Sequence, residues 1–151
     1  MDSVLHELPD EFWAVPYVGS RFPGSPEVTA DGLRAGANCQ VFAYQVLRHF
    51  GLTPPDVRSS ELWADTRATA RVSVAQPLDL LLFNATDDAY GAHVGVWVDG
   101  GRVLHLCAEI GRPAVWTMAE FAQRQRYRVL VGIKRVVEPT PHTVGAIDIV
   151  A

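Results

Sequence analysis

Residues 38–51 read NCQVFAYQVLRHFG and have the pattern of one short amphipathic helix. Their apolar side chains recur at i, i+3, i+4, i+7, i+8 and i+11, which places them on a single helix face. Asn38 is a favourable N-cap and Gly51 is a favourable residue just beyond the C-terminus, so local sequence defines both ends. Cys39 lies in the first turn. The pattern therefore predicts a helix with one buried face and a cysteine at its N-terminus.

The position of Cys39 favours a reactive thiol. Unpaired N–H groups and the positive end of the helix dipole lie at a helix N-terminus, and both stabilise a thiolate. The expected effect is a lowered pKa for the Cys39 thiol, as in nucleophilic cysteines. The alternative is that Cys39 is a small buried hydrophobe, which is common for free cysteines. The rest of the sequence has to decide between these interpretations.

The composition is that of one soluble globular domain. The chain has 151 residues, of which 48% are hydrophobic, and its formal net charge is −4; this length is sufficient for one sizeable core. There is no basic block, so we expect neither a nucleic-acid partner nor contact with an anionic membrane. The two cysteines, Cys39 and Cys107, are too few for a disulfide framework and are predicted to be free thiols.

The ends of the chain carry no targeting signal that can be read from the sequence. The first ten residues lack the basic and apolar segments of a secretory signal peptide, and no apolar run reaches the ~18 residues of a membrane span. As written, the sequence predicts a cytoplasmic protein. A leader absent from this sequence, or non-classical export, would instead make it secreted or associated with the cell wall.

The whole chain, residues 1–151, is predicted to be one domain with flanking segments at 1–16 and 138–151. Residues 1–37 are rich in proline and glycine, so we expect them to wrap around the core as loops, with one short helix near residues 11–14. This segment is not expected to build the core.

The remainder is predicted to be rich in strands with short helices between them. Residues 80–83 form an apolar run typical of a buried central strand, and residues 127–137 are mostly apolar and β-branched. Ser59 or Ser60 is a candidate cap for a second short helix, and a capping box begins at Thr117. A helix followed by strands with short helices between them indicates an α+β fold with a mainly antiparallel sheet.

Residues 92–107 carry the strongest hairpin signal, two strand-like segments on either side of Asp-Gly-Gly at 99–101. His93 lies on the first segment and His105 on the second. Because a shift of one residue in register turns every side chain to the other face, the length of the loop decides whether the histidines meet. A two-residue loop would turn them apart, whereas a three-residue loop would set them side by side. Asp-Gly-Gly permits the three-residue loop.

One cysteine at a helix N-terminus and two histidines on one face of a hairpin supply the groups of nucleophilic catalysis. The thiolate of Cys39 would attack a carbonyl carbon, and His93 would pair with it and later protonate the leaving amine. His105 would bind the far ring nitrogen of His93 and hold its tautomer. The backbone N–H of Cys39 would stabilise the oxyanion. A metal site that adds Cys107 to these residues is the alternative, but no Cys-x-x-Cys or His-x-x-x-His spacing supports it.

Three blocks of the sequence resemble the signature blocks of the NlpC-type cell-wall peptidases, a papain-like family of cysteine peptidases. They are residues 38–42 (NCQVF), 77–83 (PLDLLLF) and 93–105 (HVGVWVDGGRVLH). The family blocks typically read D-C-S-G-F, P-G-D-L-V-F-F and H-x-G-I-Y, the last followed by a glycine turn and a second histidine. Residues 16–19 and 58–60 resemble the family's upstream tyrosine block and its Arg-Ser segment. The order of the blocks and their intervals match.

The resemblance implies a papain-like α+β fold in which the helix with the cysteine packs on an antiparallel sheet. It makes Cys39 the nucleophile, His93 the general base and His105 the third polar residue. The residues expected to contact substrate are Tyr17, Asn38, Ser59, Ser60 and Trp97. The implied activity is hydrolysis of amide bonds in peptidoglycan stem peptides, commonly between γ-D-glutamate and a diamino acid, without a metal or other cofactor. We expect a monomer whose partner is a peptide derived from peptidoglycan.

The sequence departs from the family pattern at several positions. Asn38 replaces an aspartate that binds a free substrate amine in some members, and Gln40 and Val41 replace Ser-Gly. Leu78 replaces a glycine, and Trp97 replaces a tyrosine. None of these changes removes the three catalytic residues, but they indicate altered specificity. Two other hypotheses are an amidase or acyltransferase with the same three residues, and a pseudoenzyme or binding module.

Overall fold

The computed structural model describes residues 3–27 and 32–137. The helices are α1 (Ser3–Glu7), α2 (Gly32–Ala35), α3 (Cys39–His49), α4 (Ser59–Ala64) and α5 (Met118–Ala122), with 3-10 helices at Asp10–Ala14 and Gln125–Tyr127. The strands are β1 (Thr69–Val72), β2 (Leu80–Asn84), β3 (His93–Asp99), β4 (Arg102–Leu106), β5 (Pro113–Thr117) and β6 (Val129–Val136). The predicted flanking segment at 138–151 lies outside the described residues. Within them, no helix has the length and apolar character needed to cross a bilayer.

The strands form one antiparallel sheet in the order β1-β6-β2-β3-β4-β5. Residues 80–83 of β2 are at most 1% exposed, which confirms the predicted buried strand. The helix α3 packs on β3 and β4. The architecture is therefore α+β, as predicted. The sequence pattern does not predict β5, because that strand begins at Pro113 and alternates only weakly between buried and exposed positions.

The helix α3 begins where its cap predicts. The side-chain oxygen of Asn38 accepts hydrogen bonds from the N–H groups of Gln40 (3.0 Å) and Val41 (2.9 Å). The helix is more deeply buried than a single apolar face implies, because polar groups on its other side find partners inside the protein. The Tyr44 hydroxyl and the Gln40 amide both donate to the carbonyl of Val57, at 2.8 Å and 3.2 Å. The Gln40 side chain thus connects α3 to residue 57.

The N-terminal segment contributes to the core, so the prediction that residues 1–37 only wrap around it is wrong. Val4, Leu8, Phe12 and Val15 are 2–6% exposed and belong to the same hydrophobic cluster as α3. Their spacing of three to four residues continues a helical pattern across the proline between them. The short helix predicted within this segment is observed as the 3-10 helix that follows that proline.

The hairpin of β3 and β4 places His93 and His105 on one face of the sheet, but with a different loop from the one predicted. The loop consists of two residues, Gly100 and Gly101, not three, because both adopt positive φ (+53° and +78°) and form a tight turn. The register then shifts at Val98, an extra residue in β3 that forms a β-bulge. The shift compensates for the shorter loop, and the continued register sets His105 opposite Gly95.

Candidate active site

Two open cavities meet at Cys39. One has a volume of about 280 Å³ and is lined by His93, Cys107, Arg126 and Tyr127 among others; we name it the His93 cavity. The other has a volume of about 480 Å³ and is lined by Asn38 and residues of α4; we name it the Asn38 cavity. Four residues line both cavities: Tyr17, Cys39, Gly91 and Ala92. The thiol thus lies where two halves of a groove adjoin.

Tyr17 reaches the groove because its segment pairs with the residue that precedes the cap of α3. Tyr17 and Ala37 form an isolated parallel bridge, in which Val18 N–H donates to the Ala37 carbonyl at 2.9 Å. Ala37 N–H donates in turn to the carbonyl of Pro16 at 3.1 Å. Burial raises the pKa of the Tyr17 hydroxyl, and the nearby Cys39 sulfur adds to the effect. The tyrosine block of the sequence therefore lies beside the cysteine block.

The Cys39 side chain is partly exposed, but its thiol is protonated at neutral pH. Burial raises the pKa of the Cys39 thiol to about 11. The N–H groups of Val94, of Cys39 itself and of Gln40 act in the opposite direction without compensating for it. The pKa shift is thus opposite in sign to the one predicted from the helix N-terminus, because loss of hydration outweighs the local N–H groups.

His93 and His105 form a direct pair. The Nε2 atom of His93 lies 2.8 Å from Nδ1 of His105, and the two rings are nearly perpendicular at 85°. Gly95 makes room for this contact, since a Cβ there would lie 3.3 Å from the Cβ of His105 and 2.5 Å from Val103. Burial, assisted by the Arg126 guanidinium, lowers the pKa of His93 to about 3, and burial lowers the pKa of His105 to about 2. Both rings are therefore neutral at neutral pH.

Aromatic side chains enclose the pair. The ring centroid of His93 lies 4.6 Å from that of Tyr127, and the centroid of His105 lies 4.1 Å from Trp116 and 4.7 Å from Phe121. His105 is fully buried, and its Nε2 atom has no hydrogen-bond partner among the described residues. A ring N–H is attracted to the negative face of an aromatic ring, whereas a bare nitrogen lone pair is repelled by it. We therefore expect the proton of His105 on Nε2, where it can face the aromatic rings.

This tautomer of His105 determines that of His93. With its proton on Nε2, His105 has only a lone pair on Nδ1 and can only accept the 2.8 Å hydrogen bond. His93 must then donate from Nε2, which leaves its Nδ1 unprotonated. The arrangement prepares His93 to accept a proton on the ring nitrogen that is not bound to His105.

The Asn38 cavity is lined by four of the five predicted substrate contacts, Tyr17 and the three residues that follow here. Asn38 and Ser60 line it, and Ser59 lines it as well. The prediction that one of the serines caps α4 is wrong, because Arg58 occupies the N-cap position and the helix begins at Ser59. The Ser59 hydroxyl does not cap the helix; it accepts a hydrogen bond from the N–H of Ala92 at 3.1 Å. It thereby connects α4 to the residue before His93.

The structure does not bring Trp97 to the groove. Its side chain is half-buried against the second hydrophobic cluster, and it lines neither cavity. Its backbone N–H donates to the Asp79 carbonyl at 2.9 Å, and its carbonyl accepts from Leu78 N–H at 2.8 Å. The expectation that Trp97 contacts substrate is therefore corrected, because the residue packs and pairs at the entry to β2.

Arg126 and Tyr127 also line the His93 cavity, although no sequence motif predicts them there; both belong to the 3-10 helix between α5 and β6. The exposed Arg126 lines the His93 cavity, and the buried Tyr127 hydroxyl has a raised pKa, chiefly through burial and in part through the neighbouring Cys107. Cys107 is 1% exposed, as expected of a core residue, although it also lines this cavity. Because the three sequence blocks do not include the 3-10 helix, no motif pointed to it.

A four-ligand metal site is not formed. Residues 3–27 and 32–137 contain no group of three or more His, Cys, Asp or Glu side chains that could hold a metal ion. The alternative site built from Cys39, His93, His105 and Cys107 is therefore absent from this part of the chain. The pairing of the two histidines with each other explains why their nitrogens do not converge on a third ligand.

The fold is a papain-like α+β fold, and comparison with solved structures places it more narrowly. No family model and no curated protein matches the sequence. One similar structure is a protein of the NLP/P60 family from Staphylococcus aureus Mu50, described as similar to a lipoprotein. It is 23% identical in sequence, with a TM-score of 0.58, and the match covers 92% of this chain and 43% of that protein. The NlpC/p60 domain of the peptidoglycan hydrolase SagA is 20% identical with a TM-score of 0.52, over 85% of this chain and 91% of that domain.

A third structure shows the same likeness. The peptidoglycan hydrolase RipB from Mycobacterium tuberculosis is 17% identical with a TM-score of 0.53, over 84% of this chain and 60% of that protein. The chain thus has the NlpC/P60-type fold, and it spans less than half the length of the S. aureus protein.

Proposed function

We propose that this protein is a cysteine peptidase that hydrolyses amide bonds in peptidoglycan stem peptides. The observation that carries the proposal is the 2.8 Å contact between His93 and His105 beside Cys39 in an open groove. Two proteins with the same fold are described as peptidoglycan hydrolases, which supports the choice of substrate. The sequence blocks around the three residues support the same assignment.

The pKa values define the order of proton transfer. With the pKa of Cys39 at about 11 and that of His93 at about 3, the resting pair is a thiol and a neutral imidazole. His93 therefore accepts the thiol proton on Nδ1 as the sulfur attacks the carbonyl carbon. The N–H of Cys39, in the first turn of α3, donates to the oxyanion.

The second half of the reaction uses the same groups. His93 returns the proton to the leaving amine, and the acyl group remains on Cys39 as a thioester. His93 then accepts a proton from a water molecule as the water oxygen attacks the thioester carbon. The C–S bond breaks, the acid leaves, and His93 returns the proton to the Cys39 sulfur, which restores the thiol and the neutral imidazole. His105 keeps the His93 ring oriented throughout, because its Nδ1 accepts the hydrogen bond from Nε2 of His93.

We further propose that the scissile bond joins γ-D-glutamate to a diamino acid. The leaving nitrogen must lie within reach of His93, so the amine side of the substrate occupies the His93 cavity and the acyl side occupies the Asn38 cavity. Asn38 has no charge with which to bind an ammonium group, unlike the aspartate of the family pattern. We therefore expect the enzyme to accept stem peptides whose N-terminal amine is blocked as well as those whose amine is free.

The test is incubation of the purified chain with a panel of muropeptides, followed by mass spectrometry. Wild type is expected to cleave them, and Cys39→Ala to reduce the rate by about 10³-fold or more. His105→Ala should reduce kcat by about 10²-fold, and His105→Asn should restore part of it, since an amide can also hold the His93 ring. His49→Ala is the matched control, because His49 is an exposed histidine on α3.

The same panel distinguishes the other hypotheses. No cleavage of muropeptides, together with Cys39-dependent turnover of other amides or thioesters, would replace the peptidase with an amidase or acyltransferase. Absence of all turnover, with a Cys39 thiol that resists alkylation even at alkaline pH, would make the chain a binding module. We propose a monomer, because one chain supplies the whole groove, and gel filtration tests this. A wall substrate would place the protein outside the cytoplasm, which cell fractionation tests.

A further inference from the structure

We propose that Arg126 binds a carboxylate on the amine-side residue of the substrate, so that the His93 cavity selects peptides whose leaving residue is acidic. This inference rests on the proposed hydrolase function and assigns the specificity of one half of its groove.

Arg126 is held beside the catalytic groups by its neighbour. Tyr127 is buried, its ring packs on His93 at a centroid distance of 4.6 Å, and its hydroxyl lies near Cys107. These contacts fix the end of the 3-10 helix against the wall of the His93 cavity. The Arg126 side chain is itself exposed, and its guanidinium carbon lies 5.6 Å from the Tyr127 ring centroid. A fixed backbone and an exposed side chain suit a residue that reaches toward a ligand.

The charge of the His93 cavity comes from Arg126. Among the described residues that line it there is no carboxylate, and His93 is neutral. The Arg126 guanidinium also forms no ion pair within the described chain. By contrast, Arg124 binds Glu109 at 3.2 Å and Arg135 binds Asp79 at 2.8 Å. The planar guanidinium of Arg126 is therefore available to bind a ligand carboxylate with two parallel hydrogen bonds.

The other half of the groove has no such bias. Arg58 and Glu61 both line the Asn38 cavity, so their formal charges cancel. The Arg58 guanidinium also stacks on the ring of Phe22 at 4.1 Å, and Glu61 accepts the backbone N–H of Arg58 at 3.1 Å. The positive field is thus confined to the side from which His93 protonates the leaving nitrogen. An acidic group is favoured on the leaving residue and not on the acyl residue.

The experiment compares two substrates that differ at one group. Their leaving residue carries either a free carboxylate or the corresponding carboxamide, and the scissile bond is the same. Wild type is expected to favour the carboxylate by about 10- to 100-fold in kcat/KM, the range of a charge-assisted hydrogen bond. Arg126→Gln should reduce this ratio to about 1, and Arg126→Lys should keep part of it, because lysine retains the charge without the bidentate geometry.

The matched control is Arg67→Gln, which removes the same charge from an exposed arginine that lines neither cavity. It should leave the ratio unchanged. A ratio that Arg126→Gln does not alter would overturn the inference while leaving the hydrolase intact. An equal loss on both substrates would also overturn it, since the residue would then be structural.

Binding separates this inference from the proposed function. Calorimetry with Cys39→Ala measures the affinity for the two substrates without turnover. The carboxylate is expected to bind more tightly, and the preference should vanish in Cys39→Ala combined with Arg126→Gln. If wild type hydrolyses neither substrate but the binding preference follows Arg126, the hydrolase proposal fails and the inference stands. If Cys39→Ala binds both equally, the inference fails.

Discussion

The Nε2 atom of His93 lies 2.8 Å from the Nδ1 atom of His105, so the position of the proton between these two nitrogens decides which ring donates and which accepts. The fully buried His105 ring has no described hydrogen-bond partner for its Nε2 atom and packs against Trp116 and Phe121. We expect these aromatic rings to select the tautomer of His105.

We predict that His105 is protonated on Nε2 and His93 on Nε2, with Nδ1 of His93 unprotonated. Long-range ¹H–¹⁵N spectra of selectively labelled protein report each tautomer directly. Trp116→Leu should increase the population of the other tautomer of His105, because it removes a ring whose centroid is 4.1 Å away. Trp116→Phe, which keeps an aromatic face, should restore the wild-type pattern. A proton on Nδ1 of His105 in wild type would contradict the assignment.

A second prediction concerns the reactivity of Cys39. Because the pKa of its thiol is about 11, the thiolate fraction should rise about tenfold for each pH unit between 6 and 9. The rate of alkylation by iodoacetamide should rise in the same proportion, and peptide mapping should separate Cys39 from the buried Cys107. A preformed thiolate–imidazolium pair would instead give a rate that is high and constant across this range. Such a plateau would overturn the proposed order of proton transfer.

The centre of the fold could be predicted because its signals are local. Asn38 caps α3 with its own side chain, and the capping box at Thr117 begins α5. β5 could not be predicted, because a strand that begins at Pro113 is defined by its pairing with β4 and not by its own sequence. The burial of Phe12 likewise depends on contact with α3, which a loop-like composition conceals.

For the candidate site, the sequence predicts which residues belong to it and their order along the chain, but not how they are arranged in space. Spacing identified Cys39, His93 and His105, but the facing of the histidines depends on a two-residue turn and a compensating bulge that spacing does not resolve. Arg126 reaches the cavity through tertiary packing alone. The pKa of Cys39 was predicted with the wrong sign, because a sequence shows the helix terminus and not the loss of hydration around the sulfur.

The buried histidines also predict how stability depends on pH. Their folded-state pKa values, about 3 for His93 and about 2 for His105, lie below the usual 6.5. The unfolded chain therefore binds more protons as pH falls below 6.5, and folding stability is lost on acidification. Each histidine lowers the free energy of unfolding as the pH falls through this window, because its ring takes up a proton in the unfolded chain and not in the folded one.

The measurement is urea unfolding at several pH values between 7.5 and 5. His105→Gln should lose stability less steeply than wild type, since one of the two protonation sites is gone. The absolute stability of the variant is not the criterion, because the change also removes the His93 contact. If wild type and His105→Gln show the same slope of unfolding free energy against pH, the buried histidines are not its source.

The last prediction concerns Leu78, which replaces the glycine of the family pattern. Within the described residues it is the sole non-glycine residue with positive φ, at +76°. It follows Pro77 in a turn that Asp79 N–H closes by donating to the Gln76 carbonyl at 3.0 Å. A turn with proline second and positive φ third favours glycine third, because a Cβ in the left-handed region costs roughly 1–2 kcal/mol. Leu78 stays there because its side chain packs against the main hydrophobic cluster.

Comparison of two truncations separates strain from packing. Leu78→Ala removes most of the side chain and keeps the strained Cβ, whereas Leu78→Gly removes both. We predict that Leu78→Gly is more stable than Leu78→Ala, by about 1 kcal/mol in urea unfolding. At an unstrained site the alanine variant is the more stable of the two. Glycine loses more backbone freedom on folding, which costs about 0.5–1 kcal/mol relative to alanine. The exposed Ser73, replaced by the same two residues, supplies that reference. If alanine exceeds glycine at both positions, Leu78 is not strained.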